Sequence, residues 1–184
     1  MAGVRDVGAC PLGFLEYAVP KVLVGASMKV IQADPLNKSH MRDVCWGAVQ
    51  FARDVGRPDI LPDIETIEGR LNLDAAIDAL MKTGLVSIFL AYDGDKCVGG
   101  TGVMIAPYPF DATRKSADEL FWWAARDAPA RAGMALLYRM RRHIKECGAS
   151  FAVMHHLPES PGAVPKIYQR MGLKLLQHTY AGAV

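Results

Sequence analysis

A chain of 184 residues that is 51% hydrophobic and 22% charged has the balance of one globular domain with a sizeable core rather than a disordered composition. A formal net charge of +2 is too small to argue for nucleic acid, and no window is long and apolar enough for a membrane span. Cys10, Cys45, Cys97 and Cys147 lie far apart among apolar or small residues, a pattern of reduced thiols that points to the cytoplasm.

Residues 1–27 read as a separate piece, rich in Gly and Pro around the apolar runs FLEYAV and KVLV, with neither the apolar centre nor the cleavage pattern of a signal peptide. Two readings stand side by side: an extension upstream of the natural start at Met28, or an arm that packs on a neighbouring subunit. MKVIQADP then opens a domain over residues 28–184, with a first strand at Lys29–Ile31 ended by Asp34-Pro35. Ser39 is placed to cap a helix through MRDVCWGAVQFARDVG, closed by Gly56 and Pro58, with Val44, Ala48 and Phe51 toward the core. After RPDILPD, a second helix shows one apolar stripe, Leu73, Ile77 and Leu80, and stops at Gly84; Gly69 interrupts its start. Asp59, Asp63, Glu65 and Glu68 there read as the solvated face of a helix start in preference to a polyamine pocket.

VSIFLAYDGDKCVGGTGVMIAP reads as a hairpin turning at Asp93-Gly94-Asp95, and Gly99, Gly100 and Gly102 in its second strand imply a bulge or a close backbone approach. YPFDATRKSAD reads as a polar link, Glu119–Ala125 as a strand, Ala132–Cys147 as a helix and Phe151–His156 as a strand. A short helix, Lys166–Met171, and a last strand, LKLLQHTYA, complete the chain. The strand–loop–helix unit ELFWWAA–RDAPARAGMA–LLYRMRRHIKECGAS has small residues, Ala132, Gly133 and Ala135, at the helix entry. Unpaired N–H groups there suit an anion and point to a cofactor carrying a pyrophosphate. The chain has neither a GxGxxG after the first strand nor a Walker lysine motif, which disfavours a dinucleotide oxidoreductase and an ATPase. Arg139, Arg141, Arg142 and Lys145 form a basic helix face without interleaved aromatics, so a nucleic-acid partner is the weakest reading.

With Gly133-Met134-Ala135 at the helix entry, paired Trp122-Trp123 before it and YQRMGLKLLQHTY near the C-terminus, the chain resembles the GNAT superfamily of acyl-CoA-dependent N-acetyltransferases. It is most similar to the compact members encoded by bacteriophages, from Met28 onward. The resemblance implies a mixed, twisted α/β sheet of about six to seven strands flanked by helices. Acetyl-CoA would sit where the sheet splays between its fourth and fifth strands, here Cys97–Ala106 and Glu119–Ala125. It implies transfer of an acetyl group from acetyl-CoA to an amine of a small molecule or peptide. The backbone N–H groups of Trp123 and Ala124 would hold the pantetheine arm, and those of Ala132, Gly133, Met134 and Ala135 the pyrophosphate. The family's Arg or Gln three residues before the first glycine is Ala130 here, and Arg126 or Arg131 supplies the charge instead.

Acetyl transfer needs a neutral amine, a stabilised carbonyl oxygen and a protonated leaving thiolate. Tyr168, four residues before Gly172, matches the family's general-acid tyrosine. Glu119 matches its general base, with Asp118 as a nearby substitute. Trp122 and Trp123 must point to opposite faces of a regular strand, either one to the core and the other to the acceptor cleft or both filling two hydrophobic layers. Tyr108, Phe110, Trp46 and Phe51 are further candidates for the acceptor side. His155 and His156 face oppositely and lack ligand spacing, so no metal site is expected, while a single histidine near the cleft fits the chemistry. The competing reading is a catalytically inactive GNAT-fold protein, structural or binding, phage-associated and virion-borne, partnered through residues 1–27 in a homo-oligomer or particle. In that case Met134 or Tyr138 would fill the cofactor site.

Overall fold

Residues Val86–Asp93 (β2) alternate their side chains between two apolar layers, and the architecture follows from that alternation. Phe89 and Ala91 join a cluster with Leu136, Leu137 and Met140, whereas Ile88 and Leu90 join Val44, Ile77 and Met81 on the other face. The computed structural model describes residues 28–56, 63–158 and 160–176, and the readings made on residues 1–27, on Pro58 and Asp59, and on the end of the last strand lie outside them.

Five strands form one sheet in sequence order, β1 (Met28–Gln32), β2, β3 (Lys96–Tyr108), β4 (Asp111–Ala124) and β5 (Phe151–Val153). The first four are antiparallel neighbours, and β5 pairs with β4 in parallel. Helices α1 (Lys38–Val55) and α2 (Ile67–Lys82) build one layer; α3 (Ala132–Glu146) and α4 (Val164–Arg170) build the other. The mixed α/β class is as expected; the sixth and seventh strands are not found among the described residues, where Leu173–Leu176 take no strand pairing.

Several local expectations are corrected. Asn37, not Ser39, caps α1, its side chain accepting from the N–H groups of Ser39 and His40. Thr66 caps α2 at Gly69 N–H, and Gly69 is required because a Cβ there would collide with the Asp63 carbonyl. Met81 rather than Leu80 completes the buried stripe of α2 with Ile77; Leu80 is exposed. The segment read as a polar link is the first half of β4. Its side chains from Ala112 to Lys115 face solvent, so polar composition there marks an exposed strand rather than a loop. The strands expected to part, Cys97–Ala106 and Glu119–Ala125, are instead paired with each other almost throughout. On α3, Arg139 lies over the Phe89 ring and shares Glu146 with Arg142, which breaks up the expected basic face.

Both devices inferred from the β3 glycines are present. The register jumps between Gly102 and Val103, and a Cβ on Gly102 would lie 2.6 Å from the Phe121 ring. At Gly99 a Cβ would meet the Trp123 carbonyl oxygen at 2.8 Å and Leu136 at 3.0 Å. Because a backbone atom cannot swing aside, Gly99→Ala is expected to destabilise the fold by about 1–3 kcal/mol, measurable by urea denaturation.

Candidate active site

The site begins with the strand that runs out of partners. β5 pairs with β4 only at Ser116–Asp118 and ends at Val153, three residues short of the expected His156. Beyond Asp118 the outer edge of β4 has no neighbouring strand among the described residues. Ala125 N–H bonds Val98 O on the β3 side at 2.9 Å. Alternation then turns the backbone groups of Trp122 and Ala124 toward the open edge and those of Trp123 inward. The Ala124 N–H therefore faces the open edge, whereas Trp123 borders the cavity through its side chain.

A bulge sets which side chains flank that edge. Gly102 pairs with Phe121 and Val103 with Glu119, so Leu120 is the extra residue in β4. The phase of the strand reverses there. Ala117 and Trp122 pack on the α3 side, although they are five residues apart, and Phe121 packs on the α1 side. A regular strand would have put Phe121 with Ala117. This reversal is invisible in the sequence beyond the glycine signal opposite it.

Past the end of β5, the open edge of β4 borders a cavity of about 590 Å³, within the range of small-ligand sites. Phe51, Phe121, Trp122 and Trp123 supply aromatic walls, and Glu119, Tyr168, His155, Asp54 and Arg126 supply polar groups. Both tryptophans border the cavity, so the expected split into one core and one cleft residue is corrected. The Trp122 indole N–H donates to Gly133 O at 2.9 Å, and the Trp123 indole N–H donates to Asp54 Oδ2 at 2.8 Å. Each ring is thereby held by a helix on its own face of the sheet. Trp46 stands edge-on to Trp123, with ring centres 5.4 Å apart.

Glu119 and Tyr168, 49 residues apart, meet on one wall. The Tyr168 hydroxyl donates to Glu119 Oε2 at 2.9 Å, and His155 N–H donates to the same oxygen at 3.0 Å. Glu119 is 3% exposed, and burial pushes its carboxyl above the ordinary value despite both hydrogen bonds. Burial, followed by the adjacent carboxylate, pushes the Tyr168 phenol up as well, so it stays protonated. Asp118, the suggested substitute for Glu119, pairs instead with His155 Nε2 at 2.7 Å and does not border the cavity. His155 does border it, and His156 does not. Tyr108 and Phe110 stack on each other, and Tyr108 also stacks on Phe151, so neither reaches the acceptor side.

The helix entry meets the cavity at Gly133. α3 starts at Ala132 with no side-chain cap on its first turn, and Arg131 occupies the cap position. Ala132 is fully buried and gives its N–H to Pro129 O, which removes it as a donor to an anion. The N–H groups of Gly133 and Met134 follow in the first turn, where no intrahelical acceptor exists. Arg126 is an extended, 95% exposed side chain 3.8 Å from Asp54. Ala135 is part-buried and gives its N–H to Arg131 O at 2.9 Å, which removes it too as a donor to an anion, against expectation. Met134 packs toward the core and Tyr138 is exposed; neither intrudes into the cavity.

The fold as a whole is shared with solved acetyltransferase structures. The chain superimposes on a GCN5-related N-acetyltransferase of Ralstonia eutropha JMP134 with a TM-score of 0.61 at 18% identity, covering 84% of this chain and 97% of that one. It matches a ribosomal-protein-alanine N-acetyltransferase of Brucella melitensis biovar Abortus 2308 equally well, at 13% identity over 84% and 97%. A glucosamine-6-phosphate N-acetyltransferase of Arabidopsis thaliana gives 0.61 at 12% identity over 85% and 97%. The chain has the GNAT fold. No family model and no curated protein matches the sequence.

In this GNAT fold the residues present suit an acyl-CoA thioester with its pyrophosphate. The open edge of β4 offers amide groups of Trp122 and Ala124 to a pantetheine arm, and the start of α3 offers N–H groups and a positive dipole end to phosphate. Ala130 is exposed and contributes no charge at the position where the resemblance leads one to expect Arg or Gln. Among the described residues no cluster of His, Cys, Asp and Glu is arranged to hold a metal, and no helix is long and apolar enough to cross a membrane.

Proposed function

We propose that this protein transfers an acetyl group from acetyl-CoA to an amine of a small molecule or peptide. The observation that carries the proposal is the Tyr168–Glu119 hydrogen bond on the wall of an open cavity, beside an unpaired strand edge and an uncapped helix start. Acetyl-CoA supplies the activated carbonyl and the thiolate leaving group. Glu119, with its raised proton affinity, removes a proton from the acceptor nitrogen. The same protonation discharges the carboxylate beside Tyr168 and so removes one of the causes that raise the phenol. Tyr168 then becomes a better acid as the thiolate needs a proton, and its own proton is restored from Glu119 across the 2.9 Å bond. His155 N–H and the Asp118–His155 pair hold the carboxylate in place.

Calorimetric titration with acetyl-CoA tests this reading first. Saturable binding competed by CoA supports it. Well-folded protein that binds neither would leave the inactive structural reading, with its phage-particle role, in its place. Gly133→Asp is expected to weaken acetyl-CoA binding by tenfold or more, because a carboxylate would oppose the pyrophosphate at the helix start. Unchanged affinity in the same titration would place the phosphate site elsewhere.

A further inference from the structure

We infer that the acceptor amine carries a second cationic group across an apolar spacer, and that Asp54 selects it; this rests on the reading of the cavity as an amine-acetylating site. Among the described residues two carboxylates border the cavity, Glu119 on β4 and Asp54, which is bonded to Trp123 further along that strand. Glu119 faces Tyr168, while Asp54 at the end of α1 is tied to Trp123. Four positions separate Glu119 from Trp123, one of them the bulged Leu120, so the span along the strand is on the order of 10 Å. Between the two ends lie Leu120, Phe121 and the face of Trp123. That surface suits an apolar spacer, and its aromatic rings attract a cation.

The position of Asp54 is set without using up its charge. Oδ2 takes the indole N–H at 2.8 Å, a bond that a neutral amide oxygen could accept as well. Oδ1 has Arg126 at 3.8 Å, on a side chain 95% exposed, and an exposed pair of that kind contributes little. The Asp54 side chain is itself 46% exposed on the cavity side of α1. A ligand ammonium can therefore displace Arg126 at small cost and gain a charge-assisted hydrogen bond to an oriented carboxylate. Once displaced, Arg126 is released at the cofactor end of the same strand.

Octamethylenediamine and octylamine, which differ by one terminal amine, separate the alternatives in the full-length protein. Calorimetry is expected to show the diamine binding about tenfold tighter than the monoamine, and acetylation assays the same ratio in kcat/KM. Asp54→Asn, which keeps an acceptor for the indole, is expected to bring that ratio close to one. Arg126→Ala, which removes the competing cation, is expected to raise diamine affinity. Equal binding of the two amines by the unaltered protein, binding of neither, or a ratio untouched by Asp54→Asn would overturn the inference. Preferential diamine binding without acetylation would uphold the site and sink the proposed reaction. Acetylation of both amines at equal kcat/KM would do the reverse.

Discussion

Glu119→Gln is expected to lower kcat by roughly 10²–10⁴-fold, the range for loss of a positioned general base, with little change in acetyl-CoA affinity. The amide oxygen can still accept from Tyr168 and from His155 N–H, so the wall of the cavity is retained while the proton acceptor is lost. The pH dependence adds an independent check. Burial raises the Glu119 carboxyl above its ordinary 4.5, so the acid limb of kcat/KM should lie above the range of an exposed carboxylate and vanish in the variant. Stability should respond with a definite sign. A carboxyl raised on folding stabilises the fold fully below its unfolded value, and that contribution is lost as pH rises through the folded value. The unaltered protein should therefore lose Tm relative to Glu119→Gln as pH climbs from about 4.5 through the raised value. A variant that melts lower by the same amount at every pH would mean that Glu119 is a structural anchor with an unshifted proton affinity.

Tyr168→Phe is expected to reduce kcat about a hundredfold or more while acetyl-CoA affinity stays within about twofold, because only the proton donor is removed. The ring still packs on Val164 and Trp122 in the same layer. The substitution also takes away a hydrogen bond that lowers the Glu119 carboxyl, so the acid limb of the pH–rate profile should move further up. That displacement separates a coupled acid–base pair from two groups acting alone. A matched loss of cofactor affinity, or a pH profile that stays in place, would remove Tyr168 from the proposed role.

Local signals were enough for much of the framework. β2 and β3 with the Gly94 turn, α1 ended by Gly56 and α3 after a Gly-containing entry are written in periodicities and turn residues that act within a few positions. The resemblance also picked out Glu119 and Tyr168 as separate candidates. Their roles in catalysis stand as proposals, but the structure does bring them onto one cavity wall.

Other features depend on partners far away in the chain. The exposed half of β4 was read as a link because a strand with solvent on its side chains lacks the apolar pattern that betrays it. The open edge of β4 follows from β5 stopping at Val153 while β4 runs on to Ala124, a mismatch between two segments that neither one's composition displays. Asp54 escaped notice because, on α1, it is one more exposed carboxylate, and only the Trp123 indole 69 residues later turns it into part of a site. Periodicity and turn residues alone place β2, β3, α1, α3 and the small residues at the α3 entry, because backbone sterics and hydrophobic period are local properties. Tertiary structure alone decided which faces meet, since the single extra residue at Leu120 reverses the phase of β4 and is settled by packing between Gly102 and Phe121 across two strands.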